Sequence, residues 1–251
     1  MRIGFVGTGT IAAAMVKGIV EDGHEIVVSQ RNATISAELA AQHANITVAD
    51  NQTVVDSSDI VILGLLAPAA RHVLPALRFQ PHQRVFSVIV GITFAELSEW
   101  VAPAQEVATF IPYPFIAQGQ SPLLVFPHSD TLEALFGRRN HLITLTSEAD
   151  LNSYLAAQAV LSPTVKLLHE TAQWLTARTG DAISAEKFLR ILIGNYLTAT
   201  PLDQPDTLAA MLRDLGTEGG LNAQLRDHFT EQGVFQTLHT GLDVLEKRFT
   251  G

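Results

Sequence analysis

An α/β fold, with an N-terminal doubly wound, mostly parallel sheet followed by an all-α C-terminal region, is predicted by three observations. Up to about residue 145, short β-branched runs alternate with helical stretches, the pattern of parallel strands joined by crossover helices. Beyond about residue 150 the apolar period lengthens from two to roughly three and a half. The chain also opens on an apolar run, Ile3 to Val6, that stops at Gly7 and Gly9 and passes into an apolar helix through Ile11, Ala14, Met15 and Ile19. The boundary implied divides the chain into residues 1–148 and 149–251.

After the opening run, the strand candidates are Glu25–Ser29, Ile60–Leu65, Val85–Val90 and Val107–Ile111, with helical stretches such as Ser36–Gln42 and Ala69–Leu77 between them. Leu123–Phe126 and Leu142–Leu145 finish the sheet around a helix near Asp130–Phe136, for about eight strands at most. In the C-terminal part, Leu161, Val165, Leu168, Ala172 and Leu175 step by four, three, four and three, and Phe235, Leu238, Leu242, Leu245 and Phe249 repeat the stripe. Phe188, Leu189, Leu192, Ile193, Tyr196 and Leu197 give another helix a wide apolar face, which predicts a homodimer through the C-terminal helices, the alternative being a monomer that buries the face on its own sheet domain. The prolines of Thr200-Pro201 and Pro205-Asp206 break the helical pattern and mark a turn-rich connection.

Composition narrows the function. With 251 residues, 47% hydrophobic and 16% charged, the chain can build a sizeable core. A net charge of −9 and no basic stripe beyond Arg138-Arg139 argue against nucleic-acid binding. No cysteine is present, which excludes disulfides, thiolate zinc sites and a cysteine nucleophile, and the histidines show no metal-ligand spacing, so no metal is expected. The longest apolar stretch, Ile60–Ala70, contains Gly64 and Pro68 and is too short for a bilayer, and the N-terminus shows no charged leader or cleavage region. A cytoplasmic protein without a membrane segment is expected.

The glycines at the first turn carry the chemistry. Gly7 permits a tight strand-to-helix turn, Gly9 has no Cβ to obstruct a pyrophosphate, and Ala12 is small enough for the helix to pack against the sheet. Strand, Gly-x-Gly-x-x-Ala and helix in this order read as the dinucleotide site of a Rossmann-type domain, with Gly7, Thr8, Gly9, Thr10 and Ile11 at the cofactor. About twenty residues further on, a carboxylate at the second strand's tip would accept from the ribose hydroxyl of NAD. The tip here is Ser29-Gln30-Arg31-Asn32. Ser29 and Asn32 as donors and Arg31 as a charge-assisted phosphate contact favour NADP over NAD. For Asp50-Asn51 two readings stand: an N-cap turn, or Asn51 beneath the adenosine half. Leu65, Leu66 and Gly91 complete the expected cofactor contacts.

With these residues assembled, the chain resembles the pyrroline-5-carboxylate reductase family and the wider group of NADP-dependent imine reductases. The likeness rests on Ile3–Ala12, Ser29–Asn32, Asp50-Asn51, Ser87-Val88-Ile89-Val90-Gly91-Ile92-Thr93 and, near the C-terminus, Leu212-Arg213-Asp214 with Thr217-Glu218-Gly219-Gly220. It implies a helical dimerisation and substrate domain after the dinucleotide domain, and NADPH-dependent reduction of a cyclic imino acid, most directly 1-pyrroline-5-carboxylate to proline. The substrate half departs from the family pattern. Ile111-Pro112-Tyr113-Pro114 stands for Met-Pro-Asn-Thr-Pro, Leu66-Ala67 for Lys-Pro, Leu161–Val165 for Ser-Gly-Ser-Gly-Pro-Ala-Tyr, and Gly219-Gly220-Leu221-Asn222 for Gly-Gly-Thr-Thr.

Hydride transfer to a ring imine needs a held nicotinamide, a dry pocket and a grip on the substrate, and an iminium can arrive already protonated. Gly219 and Gly220 are expected to free backbone N–H groups at a helix start for a carboxylate, with Asn222 either a side-chain donor there or a residue that merely caps or faces solvent. Tyr113, at a strand end, offers a phenol or a pocket wall, or is wedged between its prolines for packing alone. Ser162, before Pro163 at a helix start, is either a cap or a substrate contact. His169 follows with no partner identifiable from sequence. Two other functions fit the same motifs: an NADP-dependent oxidoreductase acting on another imine or a redox carrier, and a non-catalytic NADP-binding redox sensor.

Overall fold

The structure is a computed structural model, and it describes residues 1–250. The chain divides into two compact units, Met1–Tyr154 and Leu155–Gly251. The first holds an eight-stranded sheet. Its elements run β1 (Arg2–Val6), α1 (Thr10–Ile19), β2 (Glu25–Ser29), α2 (Ala33–Gln42), β3 (Ile46–Ala49), α3 (Asn51–Asp56), β4 (Ile60–Leu63) and α4 (Ala67–Val73). Then follow β5 (Arg84–Ser87), α5 (Phe94–Trp100), β6 (Glu106–Ile111), β7 (Pro122–Phe126), the short α6 (Asp130–Leu132) with a π turn at Glu133–Gly137, and β8 (His141–Thr144).

The strand order is β3-β2-β1-β4-β5-β6-β7-β8, and every pair is parallel except β6 with β7. The fold class predicted from the alternation is therefore the one found. Between β1 and β4 the strand order reverses direction, the place where ligands settle beyond the carboxyl ends of such sheets.

Alternation along the strands builds two cores, one on each face. Ile3, Phe5, Ile62, Phe86 and Phe110 pack with Met15 and Ile19 of α1; Val6, Val61, Leu63 and Val85 pack with Val54, Leu74 and Leu97 of the opposite layer. Gly4 is required on the second face, because a Cβ there would lie 2.8 Å from Val54 Cγ1 and 2.4 Å from Ser58 Oγ.

Two strand ends fall short of expectation, and one strand was not expected. The run at Ile60–Leu65 stops pairing at Leu63, where Gly64 turns out toward Gly7, and Val85–Val90 stops at Ser87, whose Oγ accepts the Ile89 N–H. β3, absent from the strand candidates, is an edge strand whose Thr47 and Val48 face solvent, so it shows no continuous apolar run.

The rest of the chain is helical, with the division between the units falling within its first helix. Helix α7 (Glu148–Ala157) leads through a 3-10 turn at Gln158–Val160 into α8 (Leu161–Thr179), followed by α9 (Ala182–Thr198), α10 (Thr207–Asp214), α11 (Leu221–Glu231) and α12 (Val234–Thr250). Gly180 turns the chain between α8 and α9 at φ 76°, and Asp181 caps α9 by accepting the Ser184 N–H. The connection with both prolines lies between α9 and α10, as their interruption of the helical pattern requires. Among the described residues no helix is long and apolar enough to cross a membrane.

Candidate functional site

The opening turn joins β1 to α1 with its polar groups sorted into an inner and an outer set. Gly7 adopts φ 96°, and a Cβ on it would fall 2.5 Å from the Gly64 carbonyl oxygen, so only glycine fits. Its N–H donates to Ser29 Oγ at 2.8 Å, and Thr8 Oγ1 donates to the Ser29 carbonyl at 2.7 Å. Both Ser29 and Thr8 are buried.

The outer set is backbone. Gly9 is the N-cap residue of α1 with no side-chain cap, and the first intrahelical bond is Ala13 N–H to the Gly9 carbonyl. The N–H groups of Thr10, Ile11 and Ala12 thus precede any helical partner, and no acidic residue stands in the first turn. A helix start with that polarity favours an anion. A Cβ built on Gly9 meets no atom within 4 Å, so packing does not require glycine there, whereas close approach of a pyrophosphate to the backbone does. Ala12 is buried, its Cβ 3.5 Å from the one Gly64 would carry. These residues fit a dinucleotide phosphate.

At the tip of β2 the structure corrects the expectation for Ser29. Its hydroxyl points inward beneath the turn, already accepting from Gly7, and cannot reach a ribose phosphate outside. Thr8, expected at the cofactor, likewise spends its hydroxyl inward. Arg31 is exposed and makes no ion pair among the described residues. Asn32 caps α2, accepting the Ile35 N–H through Oδ1 at 3.3 Å, which leaves its side-chain NH2 as a donor. Asp50 is the N-cap of α3, taking the N–H groups of Gln52 and Thr53 and the Thr53 hydroxyl; that hydroxyl, followed by the Thr53 N–H, holds its pKa below the ordinary carboxylate value. Asn51, next to it, is partly buried as the first residue of α3.

The neighbouring strand ends complete the edge. Leu65 is buried against Gly7, while Leu66 is 76% exposed at the start of α4. Gly91 follows β5 at φ 87°, and its carbonyl accepts from Arg71 at 3.2 Å. Arg71 also pairs with Glu96 of the Thr93–Glu96 capping box on α5. Sequence reasoning missed Arg71 and Gly64; a glycine directly after the strand beside β1 was the available signal for the second.

Tyr113 lies just past β6, at the same carboxyl edge, half-buried, with burial pushing its phenol pKa above the ordinary value. Its N–H donates to Ser121 Oγ at 3.3 Å. Across the four segments 7–11, 64–69, 88–93 and 112–117 there is no Asp, Glu, Lys, Arg or His. Tyr113 is the titratable side chain of these four segments.

The remaining candidates belong to the second unit. Ser162 is not a cap: the helical path from α7 continues through the 3-10 turn into α8, and Ser162 is an exposed residue of α8's first turn. Pro163 mimicked a start signal because its missing N–H falls where that tight turn alters the bonding ladder. Gly219 has φ 70° and is exposed. Gly220 is the N-cap of α11, but its own N–H is not free as expected: it donates to the Thr217 carbonyl at 2.9 Å. The amides ahead of the first helical bond, Gln224 N–H to the Gly220 carbonyl, are those of Leu221, Asn222 and Ala223. Asn222 is exposed at the second position of the helix, so it is not the cap. His169 is exposed on α8.

Comparison with known proteins follows the same division. Residues 2–91, just over a third of the chain, match the family described as NADP oxidoreductase, coenzyme F420-dependent. A pyrroline-5-carboxylate reductase from Bacillus spizizenii is 31% identical over 118 residues, covering 44% of this chain and 40% of that protein. The chain is therefore aligned with about two fifths of that relative's length.

Solved structures match over nearly the whole chain. The 1-pyrroline-5-carboxylate reductase of Streptococcus pyogenes superposes with a TM-score of 0.81 at 21% identity, covering 99% of this chain and 97% of that one. The Plasmodium falciparum pyrroline carboxylate reductase with NADP bound gives 0.77 at 14% identity, covering 99% and 96%. At these identities the likeness is one of fold. The resemblance read from the motifs is borne out by both kinds of match.

Proposed function

We propose that the chain is an NADPH-dependent reductase that delivers hydride to the C=N bond of a small cyclic imino acid, with 1-pyrroline-5-carboxylate, reduced to proline, as the first candidate. The observation carrying this reading is the start of α1: an uncapped, acid-free helix end beside a glycine that packing leaves free, with the unpaired Arg31 at the β2 tip. The match to NADP oxidoreductases over residues 2–91 and the partial identity to pyrroline-5-carboxylate reductases support it.

In this reading the amides of Thr10, Ile11 and Ala12 hold the pyrophosphate, and Arg31 with the Asn32 side-chain NH2 holds the 2′-phosphate. The bound cofactor supplies the hydride. Leu65, Leu66 and Gly91 border the path toward Tyr113, whose phenol stays protonated at neutral pH and so serves as a hydrogen-bond donor without charge. The amides of Leu221, Asn222 and Ala223, with the Asn222 side chain, would take the substrate carboxylate. The C-terminal helices would form a homodimer through the apolar faces of α8 and α9.

A second substrate reading has its own observation: the segments 7–11, 64–69, 88–93 and 112–117, which follow β1, β4, β5 and β6, carry no ionic group, which suits an apolar imine without a carboxylate. Mixing the protein with NADPH and either 1-pyrroline-5-carboxylate or an uncarboxylated pyrroline, and following loss of NADPH absorbance, separates the two. Turnover of the first supports the imino-acid reading, and turnover of the second alone replaces it. Tight NADPH binding with oxidation by neither, nor by any other imine, would mark a redox sensor.

A further inference from the structure

The glycine turn is held from below by a pair of buried hydroxyls whose role differs from that of a ligand, and the inference drawn from them rests on the cofactor reading above. We infer that Ser29 is a positioning residue for the phosphate turn. Together with Thr8 it clasps the turn to the end of β2, so that affinity for any nicotinamide dinucleotide depends on a hydroxyl the cofactor does not touch, while the choice of NADP over NAD is made further out, at Arg31.

The geometry is specific. Ser29 is fully buried and Thr8 is 2% exposed. Gly7 N–H to Ser29 Oγ spans 2.8 Å, Thr8 Oγ1 to the Ser29 carbonyl 2.7 Å, and the two hydroxyl oxygens lie 3.4 Å apart. On its other side Gly7 abuts the Gly64 carbonyl. A glycine at φ 96° has no side chain to restrain it, so its direction is fixed by these contacts. That direction sets the aim of the next three amides, Thr10 to Ala12, and supporting contacts behind a binding group commonly control how well it binds.

Removing Ser29 Oγ leaves the Gly7 N–H buried without a partner, and the turn shifts to recover one. The 2′-phosphate, in contrast, never meets Ser29. Arg31 is two residues beyond the clasp, exposed, and its segment is anchored separately by Gln30 N–H to the Ala49 carbonyl at 3.1 Å.

Calorimetric titration of the full chain with NADPH and with NADH tests this. Ser29→Ala is expected to weaken both by the same factor, about tenfold (about 1.4 kcal/mol), leaving their ratio unchanged. Thr8→Val, a smaller disturbance, is expected to weaken both about threefold. The double variant should fall short of the product of the two losses, because one clasp cannot be broken twice. A side chain that only stabilised the fold would lower Tm and leave both dissociation constants of the folded protein unaltered. The inference is overturned if Ser29→Ala weakens NADPH alone, if the two losses multiply independently, or if neither variant changes a dissociation constant that the unmodified chain displays. Failure of the unmodified chain to bind either dinucleotide removes the cofactor reading itself, and the clasp's role with it.

Discussion

The two units of this chain meet the demand for burial in opposite ways. In the first, Ile3, Phe5, Phe86 and Phe110 are wholly inaccessible, and both faces of the sheet are covered by its own helices. In the second, the buried residues among those described are Leu155, Ala156, Ala172, Ala185, Leu189, Met211 and Ala223, while Trp174, Ile183 and Phe188 stand 57%, 82% and 55% exposed. A doubly wound sheet has both faces covered once its crossover helices pack. A layer of helices with apolar residues on two sides does not, and the free energy of burying such faces, about 25 cal/mol per Å2, is available to a second copy.

The sharpest way to break this contrast is within the first unit, between its two turn glycines. Gly7→Ala forces a Cβ into the Gly64 carbonyl at a positive φ and is expected to cost about 3 kcal/mol or more, measured as a fall in Tm or loss of soluble protein. Gly9→Ala is expected to leave Tm near that of the parent. An equal destabilisation by both would mean that the turn is structural throughout.

Next in size is the cofactor discrimination. Arg31→Ala should weaken NADPH by roughly tenfold to a hundredfold, the worth of a charge-assisted contact, with NADH little changed. Comparable losses for both cofactors would place the 2′-phosphate elsewhere.

For the second unit, Phe188→Glu puts a charge on the exposed face of α9. Sedimentation is expected to show a dimer for the parent chain and a monomer for the variant at micromolar concentration, with unchanged helix content. A parent chain that sediments as a monomer would leave those faces uncovered and remove the homodimer from the proposal.

The smallest effect concerns Asp50 at the start of α3. Its pKa lies below that of an unfolded carboxylate, so the folded state binds fewer protons there and its contribution is complete above the unfolded value. That contribution is lost as pH falls through the depressed folded value. Asp50→Asn should therefore narrow the Tm difference from the parent progressively on acidification, and a difference independent of pH would show that the carboxylate's charge is irrelevant to the cap.

How much of this was legible in the sequence follows from what each signal encodes. Contiguous apolar runs and glycine spacing report backbone path, so β2, the opening turn and the change to helices after the sheet were readable from residues alone. Side-chain direction at a strand end is not encoded by type: a serine at position 29 serves equally outside, facing phosphate, or inside, holding the turn. Strand β3 was hidden because an edge strand needs one buried residue in two, here Ile46, and four residues are too few for a pattern. At Ser162-Pro163 a genuine start signal was outweighed by the helix arriving from α7, which a local reading cannot sense. At the start of α11, the glycine pair was located correctly, but the bond from the Gly220 N–H back to Thr217 depends on a turn that spacing does not specify.

The central claim is that the start of α1 seats a dinucleotide phosphate against Gly9. Titrating NADPH into the parent chain and into Gly9→Val, with Tm recorded for both, addresses it directly. The expected result is measurable affinity in the parent, at least a tenfold loss in the variant and nearly equal Tm values, since a Cβ at this position meets no protein atom within 4 Å and the branched side chain stands where the pyrophosphate would lie. Unchanged NADPH affinity in a folded Gly9→Val protein would contradict it.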